Sequence, residues 1–239
     1  MSEQKLKIAS LNLWRYNAWQ ERLPNIIDLL KKVDADVVLL QEVDLDTTQD
    51  TENQAMILNR ELGYPHVHFS KSETLTTWKG QLLSTPVEYG LAVISRIPFE
   101  SERVELTRAP DDKHDRTILI SKFMTEQGPV TITNLHFSNK DDWAESHLKE
   151  TLQIIEDRGI DTVLAGDFNI KGLSKYRDVY DEKYRSSSDE FSYISYPNDG
   201  LSYDYILLPK CMKFESFECR DEYVSDHRMI ISEITMPNN

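Results

Sequence analysis

Cysteine is almost missing from this sequence: Cys211 and Cys219 are the two present. Set in CMKFESFEC, they would share one extended strand, which holds them too far apart to bridge, so both are read as free structural thiols. No apolar run is long enough to span a bilayer, and MSEQKLKIAS carries no apolar signal core. A cytoplasmic chain without stable membrane insertion is therefore expected. Repeats, low-complexity tracts and linkers are also lacking, so residues 1–239 are expected to form one domain, acting as a monomer. Basic residues are the scarce charge: 27 Lys and Arg stand against 41 Asp and Glu, a formal charge of −14. No dense basic patch offsets that excess. Long-range attraction to nucleic acid or an anionic membrane is not favoured, although a bound cation can reverse the sign locally.

What the chain does have is a series of strand-like apolar segments. Lys5 to Leu11 alternates, and Val37 to Leu40 is a continuous apolar run, the pattern of a strand covered on both faces. Tyr89 to Ile94, Arg103 to Thr107, Thr117 to Phe123 and Val130 to Phe137 follow, the last two separated by a hairpin turn at Gln127-Gly128-Pro129. Thr162 to Ala165, Leu201 to Leu208, Lys213 to Cys219 and Met229 to Ile234 complete the set. Trp19, Leu23, Ile26, Ile27, Leu30 and Val33 have helical spacing, which requires Pro24 to lie in the first turn or to start the helix. A second helix runs from about Thr51 to Leu62 and stops at Gly63. A third is capped by Asp142, with Glu145 three residues on, a stripe of Leu148, Leu152 and Ile155, and Gly159 at its end. Residues 171–198 read as irregular. Many hairpin strands with few helices predict two stacked sheets with helices outside.

Polar residues sit at the ends of these strands. They are Asn12 in IASLNLW, Gln41-Glu42 after DVVLL and His136 in VTITNLHF, then Asp167 and Asn169 in TVLAGDFN, Asp204 in YDYILL and Ser225-Asp226-His227 before RMIISEI. Polar groups are costly to leave unpaired in a core, so these ends are expected to converge on a shared site. Carboxylates, amides and imidazoles, with no serine or cysteine in a recognisable nucleophile setting, suit a hard divalent cation and attack by water. Each residue also has a plainer reading. Glu42 is a metal ligand, or else a helix cap or surface acid. Asp167 and Asn169, two apart in extended chain, point to one side and could serve a metal, a water or a phosphoryl oxygen; the alternative is an Asx turn. A carboxylate on one nitrogen of His227 would fix its tautomer and leave the other to take a proton from water, with Asp204 on a neighbouring strand. His136 could donate to a phosphate oxygen, with Glu88 as its candidate partner. His66, His68, His114 and His147 are assigned to surface or packing, Arg96 and Arg116 to structural ion pairs, and the acidic stretch 44–52 to a solvated face. Trp14, Tyr16, Trp78 and Trp143 are equally candidates for a pocket wall or for packing.

From LNLW to SDHRMI, nearly the whole chain resembles the endonuclease/exonuclease/phosphatase superfamily, the fold of deoxyribonuclease I. GLAVISR is similar to the family's central core strand. The resemblance implies an α+β fold, a four-layer α/β sandwich of two packed, mixed, mostly antiparallel sheets flanked by helices. It implies a Mg²⁺ site, with Mn²⁺ as the alternative ion, in which Glu42 is the principal ligand and Asn12 and Asp226 lie beside it. By the same likeness Asp167 and Asn169 orient the attacking water and the phosphoryl group. His227, paired with Asp204, is the general base or a transition-state stabiliser, and His136 binds an equatorial oxygen. Deoxyribonuclease I, neutral sphingomyelinases, inositol polyphosphate phosphatases and deadenylases carry a histidine at the position of His136; the apurinic endonuclease branch generally does not. Leu135 departs from the threonine of many relatives, which affects a local hydrogen bond. A metal-dependent phosphoesterase is expected, with diesters favoured over monoesters. The alternatives are a monoesterase on a soluble phosphorylated metabolite or lipid headgroup, and a catalytically silent binding module on the same fold. Lipid action would need an exposed apolar hairpin, for which Leu75 to Leu83 is the candidate. Substrate choice is assigned to loops at residues 70–88, 108–116 and 171–200.

Overall fold

A computed structural model describes residues 5–78 and 80–235; residues 1–4, part of the stretch read for a signal core, and Lys79 lie outside it. One six-stranded sheet has the order β11 (Lys213–Cys219), β12 (Ile230–Thr235), β1 (Lys5–Asn12), β2 (Val37–Leu45), β4 (Gln81–Ser95) and β3 (His66–Trp78). The other has β5 (Phe99–Glu105), β6 (Thr117–Thr125), β7 (Gly128–His136), β8 (Thr162–Asp167), β10 (Asp204–Pro209) and β9 (Tyr184–Ser186). Among the described pairs, β1–β2 and β7–β8 are parallel and the others antiparallel. Parallel neighbours need a crossover, and each parallel pair has one: α1 (Trp19–Val33) and α3 (Asp141–Arg158).

The inner faces meet in one apolar layer, with Ile8, Leu39 and Val93 from the first sheet against Leu119, Ile132 and Val163 from the second. α1 and α2 (Gln54–Leu62) cover the first sheet's outer face, and α3 covers the second's. The result is the expected four-layer sandwich. A polar staple crosses the apolar interior. Gln41 donates to Asn134 Oδ1 at 2.7 Å, and Asn134 donates to the carbonyls of Leu40 and Ala92 at 3.0 Å each.

This topology brings the polar strand ends together. β1, β7 and β8 end at one edge of the sandwich, at Asn12, His136 and Asp167, and β2 passes Gln41 there. β10, antiparallel to β8, begins at that edge with Asp204 opposite Asp167. β12, antiparallel to β1, begins there as well, which puts the lead-in segment 225–227 beside Asn12: Ser225 Oγ donates to the Asn12 carbonyl at 2.7 Å.

Several expectations need correction. Pro24 is neither in the first turn of α1 nor at its start, because the helix begins at Trp19. There the Arg22 guanidinium gathers the carbonyls of Leu13, Arg15 and Asn17 and holds the entry turn in place of a side-chain cap. α2 starts later than Thr51, at Gln54, since Asn53 Oδ1 accepts from the Met56 N–H. Asp142 does not cap α3; it lies in the first turn beside Asp141, where negative charge suits the helix dipole. Residues 171–198 are not irregular throughout. They hold a 3-10 turn at Leu173–Tyr176, single helical turns at Arg177–Tyr180 and Ser187–Glu190, and β9, organised around buried Tyr180 and the Ser186 cap. β10 begins at Asp204, three residues after Leu201. Residues 70–88 are mostly strand, the outer part of the β3–β4 hairpin. Within 44–52, Asp44 is buried and bonded to Arg15 Nε at 2.8 and 3.1 Å, so that stretch is not wholly a solvated face. No helix among the described residues is long and apolar enough to cross a membrane.

Candidate active site

A cleft of about 1050 Å³ opens at the edge where the strand ends meet. Glu42, His136, Asp167, Asn169, Asp226 and His227 line it, while Asn12 and Asp204 are buried behind them. Glu42 reaches the cleft through a bulge. The β2–β4 register shifts between Leu40 and Val43, and Glu42 takes a φ of 53°, a left-handed conformation that non-glycine residues seldom adopt. The bulge sends Gln41 inward to the staple and Glu42 outward. The Glu42 carboxylate has no hydrogen-bond or ion-pair partner among the described residues, so it is neither a cap nor half of a salt bridge.

Asp167 is the hub. Its Oδ2 accepts from Asn12 Nδ2 at 3.0 Å and lies 3.5 Å from His136 Nε2 and 3.7 Å from His227 Nε2. Its Oδ1 accepts from the Asn169 N–H at 2.9 Å, with Asn169 at φ 53°. The Asx turn and the functional reading are therefore both realised, because the turn is what aims the two side chains. Asn169 Nδ2 is anchored on the Phe137 carbonyl at 3.0 Å. Burial, with Asp204 adding to it, pushes the Asp167 carboxyl up to about 7 against the pull of His227.

His227 Nδ1 and Asp204 Oδ2 are 2.8 Å apart, the expected pair, although β10 and β12 are not neighbours but belong to different sheets; Tyr196 packs on the ring with centroids 4.8 Å apart. Burial alone would lower this imidazole; Asp204 and Asp167 outweigh it and hold it up at about 10. His136 goes the other way: burial, then Arg116, His227 and His114, keep it well below the usual histidine range. Its partner is not Glu88, which turns outward to Lys71 Nζ at 3.1 Å, but the next residue, Tyr89, whose Oη lies 3.2 Å from His136 Nδ1. Burial holds the Tyr89 phenol protonated, so it donates to Nδ1, and the neutral ring carries its proton on Nε2 toward Asp167.

Two placements could hold a cation. Asp167, Asp204 and His227 offer ligand atoms within 4.8 Å of one another. Those atoms are already engaged with one another and with Asn12, and a metal there would break the 2.8 Å imidazole–carboxylate bond. Glu42 and half-buried Asp226 fit better. Burial pushes the Asp226 carboxyl up against the pull of His227, and Glu42 adds to the rise, as a second carboxylate nearby does. An all-oxygen donor set of this kind suits a hard ion. Asn12 does not line the cleft, and its Oδ1 accepts from the Trp14 N–H at 2.9 Å, leaving one lone pair.

His114, assigned to surface or packing, instead lines the cleft. Its Nδ1 bonds Glu73 Oε1 and its ring stacks on Tyr89 at 4.9 Å. Arg116 forms the predicted ion pair, with Asp112 at 3.0 Å, yet it also lines the cleft. Arg96 pairs with Asp34 on the surface. Of the four aromatic candidates Trp78 lines the cleft, stacked under the Arg15 guanidinium at 3.9 Å; Trp14 packs by Arg22, Tyr16 by Trp19 and Trp143 by His147. Lys113, Lys140 and Lys171, from three separate loops, stand on the rim. Sequence proximity gave no sign of that grouping.

No curated protein matches the sequence significantly. Among solved structures the chain is similar to an endonuclease/exonuclease/phosphatase from Beutenbergia cavernae, with 19% identity, TM-score 0.80 and coverage of 98% of this chain and 72% of that one. It is also similar to the human Nocturnin catalytic domain with bound sulfate, at 19% identity and TM-score 0.70 over 98% and 96% of the two chains. A mannosyl-6-phosphatase from Bacteroides thetaiotaomicron shares 17% identity and TM-score 0.66 over 97% and 100%. Likeness at these identities establishes the fold alone. A sequence model described as the Endonuclease/Exonuclease/phosphatase family matches residues 9–227, from β1 through His227, and the chain belongs to that family.

Proposed function

We propose that the protein is a divalent-metal-dependent phosphoesterase that hydrolyses phosphodiesters by in-line attack of water. The observation that carries this reading is the line of groups on the cleft floor: Asp204 bonded to His227, and His227 and His136 both directed at one oxygen of Asp167. The family comprises hydrolases of phosphate esters, nucleases and phosphatases among them. Mg²⁺, or Mn²⁺ in its place, fits the oxygen donors Glu42 and Asp226, with Asn12 behind them. Bound there, the ion would supply charge neutralisation to the phosphoryl group and the leaving oxygen.

The remaining work falls to the chain's own residues. Neutral His136 presents its Nε2–H, and Asn169 its second amide N–H, to phosphoryl oxygens as charge builds. Asp167 and His227 lie close enough to titrate as one unit, and that unit takes the proton of the attacking water. Asp204 fixes the ring so that Nε2 faces the cleft. The cleft has room for both arms of a diester. Two free thiols, one of them exposed, accord with the cytoplasmic location that is part of the same reading, as are a single domain and a monomeric state.

Hydrolysis of bis(p-nitrophenyl) phosphate and of p-nitrophenyl phosphate, each with Mg²⁺, Mn²⁺ or EDTA, tests the proposal. Metal-dependent cleavage of the diester, abolished by EDTA, is expected. Cleavage of the monoester alone would select a phosphatase. Turnover of neither, with either ion, would overturn the enzyme reading in favour of a silent binding module.

A further inference from the structure

Asp204 and His227 meet at 2.8 Å although different sheets carry them. Asp204 opens β10, and His227 lies three residues before β12. Both strands contribute to the apolar layer between the sheets, Ile206 and Leu208 from one, Ile230 and Ile234 from the other. Packed sheets lie about 10 Å apart, and the apolar contact between them is non-directional. It holds the layers together without fixing where one strand end stands relative to another. A hydrogen bond across that gap weakens steeply with misalignment, so a directional contact must set the offset.

Residues 193–196 run between the two strand ends. Ser195, fully buried, accepts at Oγ from the N–H of Tyr203 at 3.0 Å and from that of Asp204 at 3.1 Å. Its carbonyl accepts from the N–H of Arg228, the residue after His227, at 2.7 Å. One residue thus grips the Asp204 side with its side chain and the His227 side with its main chain. Its neighbours reinforce both grips. Tyr193 Oη donates to the Asp204 carbonyl at 3.0 Å, and the Tyr196 ring packs on the imidazole. Arg228 Nη1 donates to the Ile194 carbonyl at 3.2 Å. Ser195 itself does not line the cleft, so any effect it has on the chemistry passes through the pair.

We infer that Ser195 is a positioning residue for the Asp204–His227 pair, holding the carboxylate of one sheet against the imidazole of the other. Its use in turnover rests on the phosphoesterase reading; the alignment itself does not. Serine suits the place because a hydroxyl oxygen has two lone pairs and can accept from two N–H groups at once. The main-chain grip on Arg228 survives any substitution, whereas the Oγ does not. Removing Oγ takes that acceptor from the buried Asp204 N–H, which regains a partner only if the start of β10 shifts.

The low-field proton resonance of His227 Nδ1–H, a direct signature of its hydrogen bond to Asp204, provides the test in the full chain, assigned by its loss in His227→Ala. In Ser195→Ala this resonance should move or broaden. There kcat on bis(p-nitrophenyl) phosphate with Mg²⁺ should fall by about 10–100-fold, the cost of a misplacement of up to about 1 Å, with KM little changed. Asn53→Ala, which removes the α2 cap away from the cleft, should leave both readouts unaltered and controls for lost stability alone. If the alanine variant does not fold, Ser195→Cys, similar in shape but with a weakly accepting sulfur, replaces it under the same criteria. An unmoved resonance in the folded variant would overturn the inference. So would a moved resonance with kcat intact in an active enzyme, or an equal disturbance in Asn53→Ala. A wild type that cleaves no ester would sink the phosphoesterase reading and leave the resonance to decide this one.

Discussion

Asp112 and Arg116 show how far a single buried pair can be decisive. Arg116 is 4% exposed, and Asp112 is its counter-charge. Burial would raise the Asp112 carboxyl, but hydrogen bonding and attraction from Arg116 draw it down to about 2, below its ordinary 3.8. A carboxyl depressed on folding contributes its stability in full above the unfolded value and loses it as pH falls through the folded one. Asp112→Asn should therefore cost about 3–5 kcal/mol in urea unfolding at pH 7, since it leaves a buried guanidinium uncompensated. The gap between wild type and variant should shrink as pH falls from about 4 to about 2. At His227 the stake is chemical. His227→Ala should lower kcat on a diester by about 10²–10⁴, the usual contribution of a positioned proton-transfer group, with an unchanged circular dichroism spectrum. Near wild-type kcat in that variant would remove His227 from the mechanism.

Elements matter here through the few places where they touch too closely for a side chain. A Cβ added at Gly166, where φ is +144°, would meet the Leu135 carbonyl oxygen at 2.1 Å. β7 and β8 must then part, and with them His136 and Asp167, which are paired in that ladder. Gly166→Ala should destabilise by more than the roughly 1–3 kcal/mol of ordinary overpacking, and turnover should fall with it. Guanidinium denaturation followed by an assay at a temperature where the variant is folded would check both. α2 makes the contrast. Its N-cap Asn53 lies away from the cleft, so Asn53→Ala should cost about 0.5–2 kcal/mol and leave kcat unaltered. Stability and activity are thus expected to separate by element, according to whether the element ends at the cleft.

At the scale of the whole molecule, a formal charge of −14 sits around a cleft whose rim carries Lys113, Lys140 and Lys171. A divalent ion that binds the native state at Glu42 and Asp226 should raise its stability. At a free concentration of 100 times Kd the gain is about 2.7 kcal/mol, read as an increase in Tm that EDTA reverses. Glu42→Gln/Asp226→Asn should abolish the increase. An undiminished Tm shift in that variant would move the ion to the Asp167, Asp204 and His227 cluster.

The sequence by itself determined the strands that are buried on both faces and the residues that interrupt them. β1, β2, β6, β7, β8 and β12 were legible because a core strand must be apolar, and Asn12, Glu42, His136, Asp167, Asn169, Asp204, Asp226 and His227 were legible because a polar residue at such a strand's end needs a reason. β3 escaped because it is an edge strand rich in polar residues, with Ser70 and Leu75 its buried positions, and shows no clean alternation. Tertiary structure alone decided the partners. A ladder position fixes which face a side chain takes, and a bulge or one-residue slip reverses it, so Tyr89 rather than Glu88 meets His136 and Glu42 rather than Gln41 reaches the cleft. It alone decided that His114 and its neighbour Lys113, Glu73, Lys140 and Lys171 belong to the same cleft, since their proximity depends on how two sheets and their loops pack, and local periodicity holds no record of that packing.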